Sequence, residues 1–175
     1  MWFLAALALV VLPFGLAVTV GAPYVPILQR DYEPLLDLAD LAPGQTIVDL
    51  GSGDGRFLRA AAKRGLHAIG YEINPVLFLI SLFVTWRYRH LVTVRLADFW
   101  RQPLPTADAV YVFLLDRFMR DLEILLRREI TRPTKVVSFV FPLPHQPLVS
   151  RNRNTYLYRF GSSASAHHTA QTSQA

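Results

Sequence analysis

The stretch VDLGSGDGR, residues 48–56, places three alternating glycines behind Asp49. Glycine lacks a Cβ, so Gly51, Gly53 and Gly55 let a backbone turn sharply and approach a ligand closely. With a strand before them and a helix after them, the helix's first backbone N–H groups would face that ligand. A phosphate-binding P-loop needs four residues between its glycines and then a lysine, and no lysine follows here. A dinucleotide fingerprint would place its third glycine at position 56, which is Arg56. The spacing present is GxGxG. Two further acidic residues stand downstream, Glu72 in GYEINP and Asp98 in LADFW. Carboxylates at such strand ends accept hydrogen bonds from a ligand's hydroxyl or amino groups. Glu72 has a second account as a negative charge ahead of a helix N-terminus. Asp54 and Arg56 either contact the ligand or only order the loop.

Two more residues have types that could handle a proton or an ammonium. Asp116, in FLLDRFM, would position an amine or, alternatively, cap the helix that begins at Arg117. His145, in FPLPHQ, would accept a proton or, alternatively, be an ordinary loop histidine between prolines. Tyr24 lies either at the reacting centre or at a lipid interface.

The elements that must position these residues are legible in the apolar pattern. DYEPLLDLADL (31–41) has leucines at helical spacing, and Pro43 and Gly44 close that helix. TIVDL (46–50), HAIGYE (67–72), VTVRL (92–96), DAVYVFLL (108–115) and KVVSFVF (135–141) read as strands. Helices are expected after the glycine loop with Gly65 as stop, from Pro75 to about Tyr88, and over 117–131. LVSR and TYLYRF flank an asparagine-containing turn as a hairpin. Strands alternating with helices predict an α/β fold: a Rossmann-like, doubly wound, mostly parallel sheet closed by a C-terminal antiparallel hairpin.

The chain has 175 residues, of which 52% are apolar, and a formal charge of +5. It contains no cysteine, which excludes disulfides, thiol chemistry and cysteine-based zinc sites. No metal is expected. The only lysines are Lys63 and Lys135, so arginine carries the positive charge. No dense basic run argues for nucleic acid; an arginine excess suits anionic lipid headgroups or acidic partners. Residues 1–22 are apolar, and the first charged side chain is Arg30. About 20 such residues cross a hydrocarbon core, so a transmembrane anchor is expected at 1–22. A cleaved signal peptide is the rival, but no positive n-region precedes the apolar run. The PYVP connector and the first helix occupy 23–45, the α/β domain 46–160, and a disordered tail 161–175. The run VLFLISLFVTW (76–86) is too short to span a bilayer and is expected as a helix buried between sheet and membrane.

Taken together, VDLGSGDGR, GYEINP, ADFW and FPLPH resemble class I S-adenosylmethionine-dependent methyltransferases. With the apolar segment and PYVP, the chain is similar to the membrane-anchored lysine methyltransferases that modify mitochondrial adenine nucleotide translocase and the ATP synthase c-subunit, and to their prokaryotic relatives. The resemblance spans roughly residues 1–160. It implies that Asp49, Gly51, Ser52, Gly53, Gly55, Glu72, Asn74, Asp98 and Phe99 hold S-adenosylmethionine. Asp49 would take the methionyl ammonium, Glu72 the ribose hydroxyls and Asp98 the adenine amino group, with Phe99 beside the ring. It further implies a membrane protein's lysine as acceptor and the lipid bilayer as a partner, with Asp116, His145 and Tyr24 as catalytic candidates that could line the acceptor's pocket. The arginines that follow residues 1–22 and the intracellular supply of S-adenosylmethionine predict a catalytic domain facing the cytoplasm. The position after the fourth strand reads FLLD, without the Asn/Asp-Pro-Pro-Tyr/Phe motif of base methylation. The alternatives are a lipid, quinone or small-molecule methyltransferase and a non-catalytic cofactor-binding module.

Overall fold

The computed structural model describes residues 29–161. Segment 1–22, Tyr24, the PYVP connector and the tail beyond Gly161 lie outside the described residues. Among those described, no helix is long and apolar enough to cross a membrane.

The chain runs α1 (Gln29–Ala39), β1 (Thr46–Leu50), α2 (Arg56–Lys63), β2 (His67–Glu72), α3 (Pro75–Thr85), β3 (Val92–Leu96), β4 (Ala109–Val112), α4 (Met119–Glu129), β5 (Thr134–Phe139), β6 (Leu148–Asn152) and β7 (Thr155–Phe160). Short 3₁₀ turns lie at Trp86–Tyr88, Phe99–Arg101 and Asp116–Phe118. The strands form one sheet in the order β3-β2-β1-β4-β5-β7-β6, parallel except for β6 and β7. This is the mostly parallel, doubly wound arrangement with a closing hairpin that the sequence predicts. Ile47, Val48, Asp49 and Leu50 are all buried. Successive strand residues face opposite sides, so both sheet faces are covered, and β1 reads as an apolar run interrupted by one carboxylate.

Two cores result. Ile47 packs with Tyr32, Leu35, Phe57 and Leu58 of α1 and α2. Val48 and Leu50 pack with Leu122 and Leu126 of α4 on the other face. The chain leaves β1 toward β2 on one side and reaches β4 on the other, so the strand order reverses at β1. Ligand crevices in such sheets open at the carboxyl ends of the strands flanking that reversal.

Several boundaries differ from the sequence expectation for local reasons. The first helix ends at Ala39, before Pro43–Gly44, because Asp40 turns left-handed with φ 46° and its N–H reaches the Leu36 carbonyl. β4 ends at Val112, three residues before the expected end at 115, where its pairing with Ser138 of β5 is the last rung. β5 stops at Phe139 because Val140 has φ 71°, a left-handed conformation that cannot continue a strand. The expected 117–131 helix is a 3₁₀ turn followed by α4.

Candidate active site

The glycine loop leaves β1 with positive φ at all three glycines: 126° at Gly51, 55° at Gly53 and 80° at Gly55. It is stitched to β2 by the Ser52 N–H, which donates to the Tyr71 carbonyl at 2.8 Å. At Gly55 a second requirement appears. A Cβ there would lie 2.3 Å from the Ser81 Oγ and 3.0 Å from the Ser81 Cα, so α2 and α3 approach with only a hydrogen's room between them. Asp54 pairs with the Arg56 guanidinium at 2.5 Å and accepts the Arg56 N–H, which fits the loop-ordering reading of both residues.

Glu72 ends β2, buried, and braces the loop. Its Oε2 accepts the Gly53 N–H at 2.8 Å and its Oε1 accepts the Asn74 N–H at 2.7 Å. A carboxylate has about four lone-pair sites, so acceptor capacity remains for hydroxyl donors. Burial pushes the Glu72 carboxyl upward in pKa, against the backbone donors of Asn74, Gly53 and Ile73. Asp49, one strand over and opposite Gly70 in register, is 3% exposed. Burial, and then the charge of Glu72, hold its carboxyl well above the usual range. No cation pairs with either carboxylate among the described residues. Two buried acids without a counter-charge favour a cationic ligand, whose arrival would let both ionise.

Asn74 caps α3. Its Oδ1 accepts the N–H groups of Val76 and Leu77 at 2.9 and 3.3 Å, ahead of Pro75 at the first helical position. Its Nδ2 and the Ser52 Oγ are buried without a hydrogen-bond partner. Such groups are costly to leave unpaired, and a polar ligand would satisfy them. The Ser52 Oγ packs over Gly70, where a Cβ would lie 2.6 Å from it; the Asn74 Nδ2 belongs to the segment that Glu72 braces and is the orphan that fits the adenosyl cofactor implied by the resemblance.

Asp98 follows β3, whose last residue, Leu96, is in register with Glu72. The sheet therefore brings the two carboxylates to neighbouring strand tips. Asp98 caps its own 3₁₀ turn, with Oδ1 accepting the Trp100 N–H at 3.1 Å and Oδ2 lying 3.4 Å from the Arg101 Nε. Phe99 is buried among Val48, Leu50 and Tyr71 and packs on Trp100 with centroids 4.7 Å apart. It is a core side chain as well as a cofactor candidate.

Asp116 stands exposed just beyond β4, at the same end of the sheet as the glycine loop. The N-cap alternative is corrected: Leu115 occupies the cap position, and no side chain caps the turn. His145 is exposed, and its contacts are with α4. Its N–H donates to the Glu123 Oε2 at 2.9 Å, and its Nδ1 lies 3.8 Å from the same oxygen.

Sequence reasoning missed Glu123 and Tyr158. Glu123 is 3% exposed, accepts two hydrogen bonds from Arg127, and holds His145. Its signal was the i,i+4 acid–arginine spacing. The Tyr158 Oη accepts the Leu143 N–H at 3.0 Å, and the Ser138 Oγ donates to the Phe141 carbonyl at 2.5 Å. These bonds make the Phe141–His145 segment a fastened strap beyond β5.

The sequence profile of the ANTKMT methyltransferase domain matches residues 49–150. The chain is 34% identical over 125 residues to the human lysine N-methyltransferase of the ATP synthase c-subunit, covering 70% of this chain and 53% of that protein. It is 40% identical over 125 residues to the mouse adenine nucleotide translocase lysine N-methyltransferase, covering 70% and 54%. The chain thus spans about half the length of these curated relatives. Among solved structures, an RNA methyltransferase from Salinibacter ruber in complex with S-adenosyl-L-homocysteine superposes with a TM-score of 0.68 at 29% identity, covering 78% of this chain and 92% of that one.

Proposed function

From the premise that this chain belongs to the ANTKMT methyltransferase family, we propose that it transfers a methyl group from S-adenosylmethionine to a lysine side chain of a membrane-associated protein. The observation that carries this reading is the buried Asp49–Glu72 pair, uncompensated by any described cation and set beside the glycine loop. Glu72 holds the ribose hydroxyls while it keeps the loop in place. Asp49 takes the methionyl ammonium, and Asp98 the adenine amino group. Asn74 supplies an unpaired polar atom.

When bound, the cofactor supplies a methyl group already activated by its sulfonium. The protein must align the acceptor as a neutral amine and exclude water, the lysine having released its proton to solvent before its nitrogen takes the methyl group. A free lysine amine has a pKa of about 10.4, so it arrives charged. Asp116, exposed at the tip of β4, orients that ammonium. The strap fastened by Glu123 and Tyr158 follows β5, and its Phe141, Pro142 and Leu143 would supply apolar surroundings that favour the neutral amine. His145 serves the strap through its backbone N–H and does not act as the base. Residues 1–22, without a charged side chain, anchor the chain in the bilayer with the catalytic domain on the cytoplasmic face, where S-adenosylmethionine is made.

The test is transfer of tritiated methyl from S-adenosylmethionine into membrane fractions. Label that remains with protein and elutes as methyl-lysine after hydrolysis supports the reading. Label in lipid or quinone moves the acceptor class, and label in RNA favours the activity named for the Salinibacter ruber neighbour. Cofactor binding without any transfer would leave a binding module.

A further inference from the structure

Helix α3 is built inside out for a helix that faces water. Its inward stripe is Leu77, Ser81 and Thr85, so two of three buried positions carry hydroxyls. The Thr85 hydroxyl donates to the Ser81 carbonyl at 2.7 Å, and Ser81 fits into the space that Gly55 leaves open. The outward face carries Leu79 (63% exposed), Ile80, Leu82, Phe83 (84% exposed) and Trp86. No charged residue occurs from 75 to 86. A helix on a soluble surface turns its apolar stripe inward and its polar face outward. Small residues at the helix contact and large apolar ones outside are the pattern of a helix whose surroundings are lipid. The sheet-facing half of the expected sheet–membrane sandwich is therefore present in the inner stripe, and the outer face stays open among the described residues.

We propose that the outward face of α3 lies in the interface of an anionic bilayer, parallel to its plane. The inference rests on the membrane association proposed above. At 11 residues, α3 is about 16 Å long, too short to cross and suited to lying flat. Its C-terminal end supplies exposed Arg87 and Arg89. The Arg89 guanidinium sits 5.0 Å over the Trp86 ring. An aromatic at the boundary with arginines beside it matches the headgroup layer. Neither arginine has an acidic partner among the described residues. The apolar segment 1–22 contains no acid to answer them, whereas anionic lipid does. Ile73, just after β2, and Leu96, at the end of β3, are further exposed apolar side chains. The crevice beside Glu72 then opens close to the membrane plane, where a lysine of a membrane protein would be met.

The chain's lack of cysteine makes the test direct. Phe83→Cys carries a nitroxide, and the full chain is reconstituted into phosphatidylcholine–phosphatidylglycerol vesicles. Flotation is checked first, and the label's collisions with oxygen and with a water-soluble nickel chelate are then compared. The proposal expects oxygen to dominate at position 83 and nickel to dominate for a label at Ser150→Cys on exposed β6. Floating protein whose Phe83→Cys label is open to nickel overturns this inference and leaves the anchor standing. A label shielded from both reagents overturns it in favour of a protein partner, either segment 1–22 or a second copy. Protein that does not float overturns the inference together with the anchor. In a second arm, Leu79→Glu/Phe83→Glu should bind cofactor like wild type while transfer into membrane fractions falls at least tenfold. Undiminished transfer would overturn the proposal.

Discussion

Glu72 divides its two carboxylate oxygens between the Gly53 N–H at 2.8 Å and the Asn74 N–H at 2.7 Å, joining the glycine loop to the cap of α3. One side chain therefore both shapes the crevice and offers its remaining lone pairs to a ligand. Glu72→Gln turns one acceptor oxygen into an N–H₂ that faces an N–H donor. We expect a loss of roughly 1–3 kcal/mol in stability and at least a tenfold weaker affinity for S-adenosylhomocysteine, read by calorimetry. Wild-type affinity in a folded variant would remove Glu72 from the site.

Asp49 makes the ligand-free protein sensitive to pH. Its carboxyl is held well above the usual range by burial and by Glu72, so the folded chain keeps a proton that the unfolded chain releases. Stability then falls as pH rises from the ordinary carboxylate range, near 4, toward the raised folded value. Asp49→Asn should flatten that slope and raise the melting temperature of the ligand-free protein at neutral pH. It should also weaken cofactor binding about tenfold or more, equivalent to ~1.4 kcal/mol. A variant that is less stable at neutral pH would contradict the uncompensated-acid account.

Gly55→Ala tests the α2–α3 contact. The new methyl meets the Ser81 Oγ and Cα, and the residue must also hold φ 80°. Backbone strain alone costs about 1–2 kcal/mol for a residue with a Cβ. Adding Ser81→Gly relieves the side-chain clash and should recover only part of the lost melting temperature. Full recovery would mean that the left-handed turn imposes no cost.

Asp116 and His145 should separate kinetically. Asp116→Asn is expected to lower kcat on a lysine-bearing membrane substrate at least tenfold with cofactor affinity unchanged. His145→Ala should stay within about twofold, because the bond to Glu123 comes from its backbone N–H. A reversed ranking would move the role of orienting the acceptor to the strap.

The parallel strands and the glycine loop were legible because their physical demands restrict residue type: doubly buried strands need apolar runs, and positive φ favours glycine. Glu72 was legible because a carboxylate ending an apolar strand has few other reasons to be there. Its bond to the Gly53 N–H was not, since the partners are 19 residues apart in sequence. Asp98's capping of its own turn depends on a local φ/ψ choice that the LADFW stretch does not declare. Val140 falls inside the apolar run KVVSFVF that reads as strand, but its left-handed φ of 71° ends β5, a backbone choice the run does not declare. The apolar run at 76–86 signalled a helix but not which face it would bury. Ser81's fit against Gly55 decides that, and it exists only once the two helices meet.

Cofactor binding in the crevice between the β1 loop and the tips of β2 and β3 is open to direct measurement. Calorimetric titration of the full chain with S-adenosylhomocysteine, beside the Glu72→Gln and Asp49→Asn variants, tests it most directly. The account predicts one site per chain and a loss of at least tenfold in each variant. No heat of binding in the wild-type protein, or equal affinity in all three, would contradict it.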